Sequence, residues 1–156
     1  MSDALPAQPQ PSTYRSIYRS DLFTGRVLWV TGGGSGIGRC VAHELASLGG
    51  TVIISGRTQE KLDRVAAEIA EDGGRCETLA FDIRDEEAVK AAVAGVVARH
   101  GAVHGLVNNA GGQFPAPLMA ISKKGFDAVV ANNLTGGFLM MREVFNQGMQ
   151  QHGGSI

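Results

Sequence analysis

The 156-residue chain has only two cysteines, two tyrosines, one tryptophan and five prolines. Cys40 and Cys76 have no metal-ligand companions at short spacing, so a disulfide framework and a zinc site are excluded and a reducing, cytoplasmic setting is expected. The four histidines, His43, His100, His104 and His152, make no pair at ligand spacing, and no metal is expected. No apolar run approaches the roughly eighteen residues that span a bilayer, and the N-terminus lacks the charged start and apolar stretch of a secretory signal. With 14 basic against 15 acidic residues and a formal net charge of -1, nothing favours nucleic acid as a partner. Neither nucleic acid nor a membrane is therefore expected to bind.

Glycine, by contrast, is abundant: 22 residues of 156, about twice the ordinary usage of roughly 7%. Three of the five prolines, Pro6, Pro9 and Pro11, crowd into the start, so residues 1–20 read as a mostly disordered arm with a short Tyr-Arg-Ser repeat at Tyr14 and Tyr18. Residues 21–156 read as one domain in which strands and helices alternate. Val27-Leu28-Trp29-Val30 is a continuous apolar run, as in a strand buried on both faces. Ile37, Val41, Leu45 and Leu48 then recur at helical spacing until Gly49-Gly50. Strands are expected at residues 52–54, 79–81 and 103–107, and helices at 62–70, after an Asp85 cap, at 122–130 and from about 133 to 151. The fold class is α/β, a doubly wound parallel sheet of Rossmann type. The closing Gly153-Gly154-Ser155-Ile156 reads as the start of a fifth strand, so the domain is expected to be incomplete at its C-terminus.

In such sheets ligands sit outside the carboxyl ends of the strands, beside strand one. Four polar or glycine-rich clusters, at residues 31–38, 55–58, 82–85 and 108–112, all fall on that rim. Thr31-Gly32-Gly33-Gly34-Ser35-Gly36-Ile37-Gly38 joins the first strand to the first helix; its bare backbone can turn tightly and present amides and a helix N-terminus to a pyrophosphate. The ordinary Gly-x-Gly-x-x-Gly spacing fails, since from Gly32 it ends on Ile37 and from Gly34 on Arg39. After strand two, where an NAD site usually carries a carboxylate, stands Ser55-Gly56-Arg57-Thr58; Arg57 suits a 2′-phosphate, so NADP(H) is expected rather than NAD(H).

The spacing Thr-Gly-x-x-x-Gly-x-Gly from Thr31 to Gly38 resembles the short-chain dehydrogenase/reductase family. That resemblance implies that Gly32, Gly34, Ser35, Gly36, Ile37 and Gly38 cradle the cofactor diphosphate, that Asp82 and Ile83 hold its adenine, and that Asn109, Ala110 and Gly111 of Asn108-Asn109-Ala110-Gly111 let it approach strand four. Asn133, in Asn133-Leu134-Thr135-Gly136, takes the position of the catalytic asparagine whose backbone orders a relay water; Asn132 is the weaker candidate because the family places that residue directly before the leucine. The family also needs a serine and a Tyr-x-x-x-Lys pair. Neither Tyr14 nor Tyr18 has a lysine four residues on, so the 156 residues alone are expected to be inactive.

Asn109-Ala110-Gly111-Gly112-Gln113-Phe114-Pro115 and Ile121-Ser122-Lys123-Lys124-Gly125-Phe126 most resemble peroxisomal trans-2-enoyl-CoA reductases and bacterial citronellol/citronellal dehydrogenases. The activity so implied is hydride transfer to or from an enoyl-CoA or an alcohol/carbonyl pair, in a homo-oligomer packed through the long helix. The competing reading is a non-catalytic nucleotide-binding or regulatory module.

Overall fold

The computed structural model describes residues 16–156. Residues 1–15, most of the arm expected to be disordered, lie outside the described residues. Ser16 bonds the Glu44 carboxylate through its hydroxyl, and the Phe23 N–H donates to the Leu48 carbonyl at 2.8 Å, so residues 16–25 lie along the first helix.

Four strands, β1 (Val27–Thr31), β2 (Thr51–Gly56), β3 (Arg75–Ala80) and β4 (Gly105–Val107), form one parallel sheet in the order β3-β2-β1-β4. The sheet grows one way from β1 to β2 and β3 and the other way to β4, so the direction of winding switches at β1. Ser155 pairs in parallel with Gly105, with its N–H donating to the His104 carbonyl at 3.1 Å. This is the strand start that the closing residues suggest.

Both faces of the sheet are covered, which is why β1 and β2 read as unbroken apolar runs. Along β1, Val27 and Trp29 enter one core with Val89, Val93 and Val96 of α3 (Glu86–His100). Val30 enters the other, with Ala42 of α1 (Gly36–Ser47) and Leu62, Val65 and Ile69 of α2 (Gln59–Glu71). Each fully buried aliphatic contributes about 1.5–3 kcal/mol of transfer free energy. Trp29 has no exposed surface; its Nε1 donates to Ser55 Oγ at 3.0 Å and its ring meets Phe81 edge-on at 6.3 Å. Asp85 caps α3 by accepting from the Glu87 and Ala88 amides at 3.1 Å each.

The starts of β3 and β4 shift from those expected. β3 begins at Arg75 instead of 79, because it is the sheet edge and its polar residues need only one apolar face. β4 begins at Gly105 instead of 103: the Val103 N–H goes to the Gly148 carbonyl at 3.2 Å, and ladder bonding starts with His104 N–H to Val27 O at 2.8 Å. His104 is half-buried and accepts the Val27 N–H at Nδ1 at 3.0 Å.

The long helix does not start at 133. Residues 123–149 wind continuously as α4 (Lys123–Val130), a wide π-type segment (Ala131–Thr135), α5 (Gly136–Val144) and a second wide segment (Phe145–Met149). Ser122 caps its start by accepting from the Gly125 N–H at 3.0 Å. Two glycines at 136 and 137 do not break the run, since Gly136 is packed against Ile83 and has helical torsions. No described helix is long and apolar enough to cross a membrane.

Candidate nucleotide-binding site

The carboxyl ends of all four strands converge on a cleft of about 410 Å³. Its floor is the loop after β1. Gly32 and Gly33 both donate their N–H to the Ser55 carbonyl, at 2.7 and 3.2 Å, which carries the β1–β2 pairing one step into the loop. Gly32 has φ +69°, a conformation that favours glycine, and the chain there passes against Asn109. A Cβ on Gly38 would collide with the Gly32 carbonyl oxygen and come within 2.5 Å of Asn109 Nδ2. Gly38 therefore lets α1 close onto the loop from beneath, and it does not line the cleft.

Thr31 ties this loop to β4. Its buried hydroxyl donates to the Val107 carbonyl at 3.3 Å and accepts the Asn109 and Ala110 amides at 3.0 and 2.9 Å. The Asn109 carboxamide donates back to the Thr31 carbonyl at 2.9 Å. One threonine and one asparagine thus fix the spacing between the two loops that flank the switch point.

The start of α1 is open to the cleft. Ser35 makes no side-chain capping bond and no acidic residue occupies the first turn, so the amides and the positive end of the helix dipole face the cleft uncompensated. That donor set fits a diphosphate, and the space beside Gly36, where a Cβ would meet nothing within 4 Å, leaves room for one. Gly32, Gly34, Ser35, Gly36 and Ile37 all line the cleft.

Arg57, Thr58 and Lys61 form the wall after β2, and Glu60 does not line it; Lys61 lies about one turn beyond Arg57 on the same rim. Asp82 and Ile83 form the wall after β3. Asp82 accepts the Arg84 N–H at 3.0 Å and the Arg84 Nε at 2.9 and 3.1 Å. The Arg84 guanidinium first, opposed by burial, then the Arg84 amide and the charges of Arg84 and Arg57, pull its carboxyl from an ordinary 3.8 down to about 2. Asp82 thus forms a turn with Arg84 while it lines the cleft.

Asn109, Ala110 and Gly111 line the β4 side as the motif predicts. The side chains of the two asparagines of the wide turn go separate ways. Asn133 is exposed and lies off the cleft; its Nδ2 donates to the Gly112 and Val129 carbonyls at 2.7 and 2.9 Å, and its Oδ1 accepts the Gly112 N–H at 3.2 Å. Asn132 is the one that lines the cleft. Sequence reasoning also passed over Thr31 and Lys61. Lys61 carried a signal, its spacing of four from Arg57, whereas Thr31 acts through bonds that span about half of the chain.

Beside the cleft, Gln113, Phe114, Ile121, Gly125, Phe126 and Val129 enclose an apolar hollow of about 270 Å³. The Phe114 ring lies so close to α4 that a Cβ on Gly125 would stand 2.9 Å from it.

The arrangement matches known proteins. Residues 26–156 fit the family model described as short chain dehydrogenase. The fold is similar to that of a citronellol catabolism dehydrogenase from Pseudomonas aeruginosa, at 59% identity and a TM-score of 0.88, over 92% of this chain and 59% of that one. It is also similar to a metagenomic short-chain oxidoreductase in complex with NADP, at 38% identity and a TM-score of 0.79, over 85% of this chain and 60% of that one. A curated relative, the peroxisomal 2,4-dienoyl-CoA reductase of Danio rerio, is 35% identical over 92% of this chain and 48% of its own length. The chain spans about half the length of the curated relatives it matches. From its glycine loop to its β4 asparagines, the chain belongs to the short chain dehydrogenase family.

Proposed function

We propose that the chain is the cofactor-binding part of an NADP(H)-dependent oxidoreductase that transfers hydride to or from an enoyl-CoA or an alcohol/carbonyl substrate. The observation that carries the choice of NADP(H) is the wall after β2, where Arg57 and Lys61 line the cleft and Glu60, the first acid after that strand, does not. A guanidinium there forms charge-assisted bonds with a 2′-phosphate, whereas an acid would repel it.

When bound, the nicotinamide supplies or accepts the hydride. This chain's residues bind and orient it: the loop amides and the α1 N-terminus hold the diphosphate, Arg57 and Lys61 the 2′-phosphate, and Asp82 with Ile83 the adenine. Asn133 spends its side chain on Gly112 and so fixes the wide turn, which leaves its backbone for the relay water that the family's asparagine orders. No Tyr-x-x-x-Lys pair occurs among these residues, so in this reading the acid–base step needs groups outside them. The apolar hollow at Phe114 and Phe126 favours a substrate with a hydrocarbon chain. The exposed Phe138, Met141 and Phe145 support assembly as a homo-oligomer, and the free Cys40 and Cys76 support a cytoplasmic setting.

The test uses the complete gene product with NADPH and NADH over a panel of enoyl-CoAs and terpenoid aldehydes. Arg57→Glu is expected to weaken NADPH binding about ten- to a hundredfold, the range for a charge-assisted bond, and to spare NADH. A wild type that prefers NADH, with Arg57→Glu unchanged, would refute the NADP(H) reading.

A further inference from the structure

We infer that Asn132 presents its carboxamide to the bound dinucleotide, donating from Nδ2 to an oxygen of the ribose–diphosphate backbone, while its neighbour Asn133 braces the loop. The inference rests on the cofactor reading above and adds to it a side-chain contact that the sequence pattern assigns to neither asparagine.

The two side chains are chemically identical and adjacent, so only geometry separates them. A carboxamide has two N–H donors and one oxygen with two lone pairs. Asn133 has spent both donors, on the Gly112 and Val129 carbonyls, and its oxygen takes the Gly112 amide. It has no donor left for a ligand. Asn132 has the opposite account: it is half-buried, it lines the cleft, and its side chain bonds to none of the described residues. Both of its N–H donors are therefore open to whatever occupies the cleft.

The wide turn explains the split. In the Ala131–Thr135 segment the Gly136 N–H reaches back to the Ala131 carbonyl, five residues earlier. Such π-type turns recur at functional sites because they displace side chains from the α-helical rows. Here Asn133 falls beside the Gly112 backbone, while Asn132 Nδ2 stands 3.1 Å from the point where a Cβ on Gly112 would lie. Across β1 from Arg57 and Lys61, Asn132 is the side-chain donor on the β4 side of the cleft that has no protein partner. A dinucleotide whose 2′-phosphate meets Arg57 and whose diphosphate crosses the β1 loop brings ribose and phosphate oxygens toward that side.

Calorimetric titration of the complete gene product with NADPH tests this. Asn132→Ala is expected to weaken binding about two- to tenfold, as for one neutral hydrogen bond, with the melting temperature of the ligand-free protein unchanged. The nearly isosteric Asn132→Asp replaces the donor with a negative charge, so it is expected to weaken binding further and to make it more salt-dependent. If both variants bind NADPH as tightly as the wild type, the inference is overturned and the cofactor reading survives. If the wild type itself binds neither NADPH nor NADH, both fall together.

Discussion

The rim above β1, β2 and β4 and the stretch from Gly112 to Phe145 flank the same cleft but are built on opposite terms. On the rim, the loop amides of Gly32 and Gly33 and of Asn109 and Ala110 are held by the Ser55 carbonyl and the Thr31 hydroxyl, and the strands beneath are buried on both faces. In the later stretch Leu118, Met119, Phe126, Leu134, Phe138 and Phe145 stand exposed, Met119 completely so. One region is finished by its own contacts; the other presents apolar surface that a substrate, a neighbouring subunit or further chain would cover. The contrast matches a division of labour. A phosphate-binding loop must be rigid before its ligand arrives, whereas a surface that meets variable apolar partners gains nothing from internal closure.

The largest expected effect falls on the rigid side. Thr31→Val keeps the shape of the side chain but removes the acceptor of two loop amides, and should cost about 1–3 kcal/mol in chemical denaturation. Amide exchange at Asn109 and Ala110 should accelerate with it. Unchanged exchange at both would mean that the loops are not joined through that hydroxyl, and the contrast between the regions would weaken.

A smaller effect concerns Asp82. Its folded carboxyl titrates near 2, below the ordinary 3.8, so the stability it contributes is present above about pH 4 and is lost as the pH falls toward 2. The side chain is about 30% exposed and the contribution is correspondingly modest. Arg84→Ala should return the carboxyl toward its ordinary value, read directly by NMR titration. A carboxyl that stays near 2 in that variant would shift the cause to Arg57.

The smallest effect should come from Met119→Ser on the open side. With its side chain wholly in solvent, the substitution should change stability by less than about 0.5 kcal/mol. A clear loss of stability would show that the open region is closed by contacts after all.

The rigid half was also the legible half. Val27 to Val30 announce a strand buried on both faces because they are apolar without interruption, and the glycines from 32 to 38 announce a turn because few other residues could make it. Arg57, Asp82 and Asn109 followed from their places at strand ends, and the structure brings them to one cleft. The polar start of β3 hid itself because an edge strand needs no apolar alternation on its open side. The continuous winding of residues 123–149 was hidden for another reason: apolar spacing reports a helix but not a five-residue turn within it. That single turn decides which of two adjacent asparagines faces the cleft, and no composition or period encodes it.

The bonds of Thr31 carry a consequence in time. Its hydroxyl meets the Asn109 amide 78 residues along the chain, and β1 cannot take β4 as its neighbour until β2, β3 and three helices have been made. Contacts of such long range are slow to form because the intervening chain must first be closed into a loop. On a ribosome, the glycine loop that stands near the front of the sequence would thus be among the last parts to take its final shape, and the nascent chain would gain its nucleotide site only after Asn109 had emerged.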